Sequence, residues 1–311
     1  MKLVNTRMQS SSFLEIYDHM YGRQIGHNYF VFLQKKLRKM AAKDDMTIPL
    51  LPARYYHIYN RGINKGNIFF NTENFKYFLN KYSQKMTGYF DTFGYCLLDN
   101  HFHLFIKVVD QDQLLAKALD DFEIVNQTFY KDYVMPWIRR MHLEDAAAET
   151  DLTNFKNLLN LYTLHGDKHP ASSPYPPDLK VASFIDQLSS WVVSERFRGF
   201  MLGYAKAINK QESRTGSLLQ KGFRRKYVSN EAFNKKQVLF YVHHNPIHHF
   251  YTDAYESYTW SSYSAYLSDV QTRLCKDEAL DWFGGREQFL AFGEKYKQNK
   301  SFNAEWIIDE N

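Results

Sequence analysis

The chain has 311 residues, 44% hydrophobic and 23% charged, enough to bury one large core or two small ones. Its formal charge of +5 favours a polyanionic partner, and 23 Tyr beside 25 Phe supply rings for stacking on unpaired bases as well as for a core. The two cysteines show neither metal-ligand spacing nor a disulfide framework, and no apolar run approaches the ~20 residues of a membrane span, so disulfide scaffolds and membrane-spanning classes drop out.

In chain order, the polar opening lacks the apolar core of a signal peptide, which places the protein in the cytoplasm, with the nucleoid if its partner is DNA. Residues 1–50 read as a basic N-terminal extension in which Phe30 to Met40 forms an amphipathic helix, either solvated or docking a partner. Tyr55 to Tyr59 is β-rich and predicts a strand, followed by a loop over 60–67. Thr72 caps a helix carrying Phe75, Phe78, Leu79 and Tyr82 at helical spacing. Thr92 to Leu98 predicts a strand in which Cys96 is a small buried hydrophobe, and the Asp99-Asn100 turn leads into a partner strand from His101 to Val109. This order of elements predicts an α+β fold with helices packed on an antiparallel sheet.

Residues 110–180 read as a polar insertion that ends in a proline-rich run, with four of the chain's 8 prolines between 169 and 177. A helical pattern resumes at Phe184 and runs through Leu188, Trp191 and Val192 to Asn209. Lys221, Arg224, Arg225 and Lys226 then lie among aromatics, either as a solvated loop or as a grip on phosphates and bases. A last helix from Lys236 is expected to stop at Pro246, and residues 268–311 form a helical tail.

The chemistry begins at His101 and His103. Residues at i and i+2 of a strand share a face, so the two imidazoles project together and can hold one divalent cation. Tyr241 and Asn245 are neighbours on one helix face, a phenol nucleophile beside an amide oxygen that can serve as third ligand. His243, His244, His248 and His249 compete for the ligand role, with Pro246 breaking the register between them. Tyr204 is the alternative nucleophile, on a helix with basic neighbours, although Ile208 at its i+4 position cannot bind metal. His57 reads as a packed or supporting histidine, and Trp260 and Tyr263 as core groups or stacking platforms for DNA.

Four blocks occur in order: Tyr56-His57-Ile58-Tyr59-Asn60-Arg61-Gly62, Tyr95 through Asn100-His101-Phe102-His103-Leu104, Tyr241-Val242-His243-His244-Asn245-Pro246, and Tyr258-Thr259-Trp260-Ser261-Ser262-Tyr263. Over residues 51–267, with the 110–180 insertion and both termini outside it, the chain resembles the single-tyrosine HUH transposases, in the REP-associated tyrosine transposase branch. The resemblance implies a ferredoxin-like catalytic domain with the HUH motif on a central strand. It also implies nicking and joining of single-stranded, hairpin-forming DNA through a 5′-phosphotyrosine. His101 and His103 would be the metal pair, Asn245 the third ligand, Tyr241 the nucleophile, Mg²⁺ or Mn²⁺ the metal, and a homodimer a possible assembly. The other functions weighed are a domesticated single-stranded DNA-binding protein with little catalysis and an RNA-binding module. Retention of both histidines, Tyr241 and Asn245 favours the enzyme.

Overall fold

The computed structural model describes residues 46–166 and 183–298. The expected helix over residues 30–40 and the proline-rich run over 169–177 lie outside the described residues. The described residues from Ile48 onward form one compact unit.

Its centre is a four-stranded antiparallel sheet of β1 (Tyr55–Arg61), β2 (Phe90–Leu98), β3 (His101–Val108) and β4 (Arg224–Val228), in the order β2-β3-β1-β4. α1 (Thr72–Met86) joins β1 to β2, and a two-residue turn at Asp99-Asn100 joins β2 to β3. β1 and β3 are buried on both faces, which explains why their sequences run apolar and aromatic with few charges. β1 extends two residues further than its β-rich core suggests: Asn60 and Arg61, expected in a loop, still pair with Phe102 and His101. α1 is capped by Asn71, whose side chain accepts from the Asn74 amide; the expected cap, Thr72, is the first helical residue.

Alternation sorts the sheet into two faces. Tyr56, Ile58, Phe102, Leu104 and Ile106 point into a core shared with α1 and with α4 (Phe184–Gln211), whose N-terminus carries a reciprocal Ser183–Asp186 capping box. The described part of the polar-looking segment before it is largely helical. α2 (Gln111–Asp121), short helical pieces between residues 127 and 148, and α3 (Phe155–His165) bury Leu114, Trp137, Phe155 and Leu158 in this same core.

The other face presents Tyr55, Phe105 and Val228, together with His57 and His103, to α5 (Ala232–His248). In the tail, α6 (Lys276–Phe283) and α7 (Arg286–Gln298) pack on α5, with Phe240 and Phe289 4.7 Å apart between ring centres. α5 does not stop at Pro246; the helix runs through it to His248. The missing amide of Pro246 leaves the Val242 carbonyl without its usual helical donor, yet both residues are buried and packing holds the turn.

Strand β4 was not expected, because Arg224-Arg225-Lys226-Tyr227-Val228 reads as a basic loop. It pairs with β1 at one edge of the sheet. The opposite edge, on β2, is sealed by a return of the chain. The Leu97 amide donates to the Trp260 carbonyl at 2.9 Å, the Ser262 amide to Tyr95 at 2.9 Å and the Cys275 amide to Thr92 at 2.8 Å. Trp260 stacks on Phe75 at 4.7 Å, and Tyr263 is buried among the aromatics around α5. Cys96 is fully buried.

Candidate active site

His101 opens β3 and His103 follows two residues later, so both leave the sheet toward α5. α5 brings Tyr241 over them, with ring centres 5.7 Å from His103 and 5.3 Å from His57. The tyrosine therefore meets histidines of its own chain. Asn245 lies one helical turn beyond, and its Nδ2 donates to the Tyr241 carbonyl at 2.8 Å. A cleft of about 30 Å³ is lined by His101, His103, Tyr241 and Asn245 together with Tyr59, Arg61, His248 and His249. That is room for one or two waters or a bare cation.

The hydrogen bonds set the state of each donor. His101 Nδ1–H donates to Asn100 Oδ1 at 2.6 Å, which leaves Nε2 as the lone-pair nitrogen of a neutral ring. His103 Nδ1 lies 2.9 Å from His57 Nε2, so a single proton bridges the two rings. With that proton on His103 Nδ1, its Nε2 is a bare lone pair, and this atom is buried with no hydrogen-bond partner. Asn245 Oδ1 is likewise buried and unpartnered. Two buried polar atoms in one cleft with no partner among the described residues are costly, about 1–3 kcal/mol each, unless something comes to meet them.

Burial keeps the imidazoles neutral. His101 is pushed down to about 3 by desolvation, with His249, Arg61 and His248 adding repulsion. His57 is pushed to about 3 by desolvation and then by Lys226, and His103 lies well below the ordinary histidine value for the same first reason. Neutral rings are the form that can ligate a cation. Among the described residues no three His, Cys, Asp or Glu side chains come together as a metal-binding group, so a cation here would depend on two imidazoles and the Asn245 amide oxygen. Such a mixed nitrogen–oxygen set with no carboxylate suits Mn²⁺ better than Mg²⁺, which takes oxygen ligands.

The remaining candidates separate. Tyr204 sits on α4 in the core of the opposite sheet face, buried, with its hydroxyl donating to the Ile68 carbonyl at 2.7 Å. Burial raises its pKa, the reverse of activation. His243 and His244 turn away from the cleft, His243 Nε2 to Ser262 Oγ at 2.8 Å and His244 Nδ1 to the Tyr255 hydroxyl at 3.1 Å. Because α5 continues through Pro246, His248 and His249 do reach the cleft, and the His249 ring lies 4.8 Å from that of His101.

The basic cluster is split by the strand that carries it. Arg224 and Lys226 pair with Tyr59 and His57 and so share the histidine face, and Lys221 is exposed just before them. Arg225 points the other way. It is buried, its guanidinium lies 4.8 Å over the Phe223 ring and its Nη1 donates to Ser194 Oγ at 3.3 Å, so its part is structural. Arg61 and Tyr59 were missed as site residues. Counting in twos from His57 reaches both, but Asn60-Arg61-Gly62 reads as a turn.

Compared with known proteins, the chain matches no family model and no curated protein. A solved structure described as a REP-associated tyrosine transposase bound to a REP hairpin is similar at 9% identity, over 71% of this chain and 82% of that one, with a TM-score of 0.39. A likeness of that degree assigns no role to any residue of this chain.

Proposed function

We propose that this protein nicks and joins single-stranded DNA through a covalent bond to Tyr241, with a divalent cation held by His101, His103 and Asn245. The observation that carries this reading is the pair of buried polar atoms, His103 Nε2 and Asn245 Oδ1, that have no partner among the described residues in the cleft that Tyr241 lines. A strand–helix–strand–strand–helix–strand path with β1 inside the sheet fits a ferredoxin-like domain.

In this reading His101 Nε2, His103 Nε2 and Asn245 Oδ1 face one point. His57 holds the His103 ring through its Nδ1, and Asn100 does the same for His101. Mg²⁺ or Mn²⁺ bound there would neutralise charge developing on the scissile phosphate. Tyr241 Oη forms a bond to phosphorus as the bond to the 3′-oxygen breaks. The phenol proton leaves to solvent and the departing oxygen takes one up, giving a 5′-phosphotyrosine and a free 3′-hydroxyl. Attack by a 3′-hydroxyl on that phosphotyrosine reverses the step and joins strands without an outside energy source. Lys221, Arg224 and Lys226 would hold the incoming strand, hairpin-forming DNA being the expected substrate.

The test is incubation with labelled DNA hairpins and Mn²⁺, read on a denaturing gel. A covalent adduct is expected for the wild type and none for Tyr241→Phe. An adduct that persists in Tyr241→Phe overturns the nucleophile. Binding of DNA or RNA without any adduct leaves the binding-protein reading in its place.

A further inference from the structure

Arg61 is the last residue of β1 and pairs with His101 across the β1–β3 ladder, so its side chain leaves the sheet on the histidine face. It lines the cleft beside His101, His103 and Tyr241. Its backbone is fixed on three sides. Its amide donates to Asn60 Oδ1 at 2.8 Å, its carbonyl accepts from the Gln220 amide at 2.8 Å, and the next amide, of Gly62, donates to the Asn100 carbonyl at 2.8 Å.

Among the described residues no carboxylate forms an ion pair with this guanidinium, and its Nε is buried with no hydrogen-bond partner. A half-buried arginine is ordinarily paired, because an unpaired charge out of water is costly. The Arg61 charge adds to the burial that keeps the His101 ring neutral. The backbone beneath this cation is held in place, and the side chain lines a cleft whose lining residues include no carboxylate.

We propose that the Arg61 guanidinium is a phosphate anchor, gripping the non-bridging oxygens of one backbone phosphate of single-stranded DNA in this cleft. This deepens the reading above, in which the cleft takes a DNA phosphate, but it concerns binding and needs neither the cation nor the chemical step. Arginine suits the task because its fork meets two phosphate oxygens at once, whereas lysine offers only a point charge.

The test uses full-length Tyr241→Phe protein in chelator, so that no covalent step intervenes, and fluorescein-labelled oligothymidylate followed by anisotropy across a salt series. Arg61→Gln is expected to weaken binding roughly tenfold and to make the slope of log K against log salt shallower by about 0.7, the share of one phosphate contact on a single strand. Arg61→Lys keeps the slope and loses part of the affinity. An unchanged slope and affinity in Arg61→Gln overturns the proposal, and an effect on oligouridylate but not oligothymidylate overturns its assignment to DNA. Should Arg61→Gln not fold, phenylglyoxal labelling of the unmutated protein with peptide mapping decides: the oligonucleotide is expected to protect Arg61, and modification that proceeds unhindered sinks the anchor. Loss of the salt slope without any wild-type adduct would remove nicking and leave the anchor standing. An adduct with an unaltered slope would do the reverse.

Discussion

Asn245 is tied to Tyr241 directly, its Nδ2 donating to the tyrosine's own carbonyl at 2.8 Å. That bond uses the amide's donor end and leaves its acceptor end, Oδ1, buried and unpartnered. The acceptor end of the carboxamide thus finds no partner among the described residues. Replacing it with an apolar residue of similar size removes the unmet acceptor. In chelator, Asn245→Leu is expected to match the wild type in stability or exceed it by about 1 kcal/mol, while losing Mn²⁺ binding and adduct formation. Urea denaturation and a gel assay check both halves; a strongly destabilised variant that still forms adduct contradicts the assignment.

Tyr204 and Tyr241 separate cleanly by mutation. Tyr204→Phe removes a hydroxyl that donates to the Ile68 carbonyl on the far side of the sheet. It is expected to lower stability by about 1 kcal/mol and leave adduct formation intact. Abolition of the adduct by Tyr204→Phe in a folded protein would restore it as the nucleophile.

His57 touches His103 and not the cleft's opening, so its effect travels through the ring it holds. His57→Leu should weaken Mn²⁺ affinity about 10- to 100-fold, as expected when a supporting hydrogen bond to a ligand is lost. Calorimetric titration of Mn²⁺ into the wild type and variant measures this, and equal affinities would show that His103 is oriented by packing alone.

Stability should fall in mild acid. His57, His101 and His243 are held down to about 3, in each case chiefly by burial. An unfolded histidine protonates near 6.5, so between about 6.5 and 3 the unfolded chain binds protons that the fold refuses, and each ring costs about 1.4 kcal/mol per pH unit. Above that window these groups contribute nothing to the pH dependence. Urea midpoints in chelator should be flat from pH 8 to 7 and drop steeply toward pH 5.5; a flat profile down to pH 5.5 would mean that the rings are charged in the fold.

Gly62 turns the chain after Arg61. A Cβ there would lie 1.9 Å from the Gly66 carbonyl oxygen, a backbone atom that cannot step aside. Gly62→Ala should therefore cost about 2 kcal/mol or more and displace the end of β1, with Arg61 on it. A thermal melt unchanged from wild type would show that the 62–66 turn can re-form.

The histidine pair was legible because strand alternation is local: His101 and His103 need only β3 to share a face. Tyr241 and Asn245 were legible for the same reason on a helix. The position of β4 was not, since three consecutive basic residues look like solvated loop, and only pairing with β1 reveals that Arg225 faces the core while Arg224 and Lys226 face the site. Arg61 was hidden by the turn-like Asn-Arg-Gly sequence; the bonds that keep it in the strand come from Gln220 and Asn100, far away in the chain. His248 and His249 were discounted because a proline ends most helices, whereas here the packed turn absorbs that loss.

The charged edge strand has a consequence for handling the protein. With the β2 side sealed by the chain itself, β4 is the other flank of the sheet among the described residues, and its Arg224 and Lys226 repel a second copy that would pair there. The same charges proposed to hold nucleic acid thus also guard against edge-to-edge aggregation. Neutralising them to weaken binding would invite precipitation, so an insoluble variant of β4 would carry no information about its affinity for DNA.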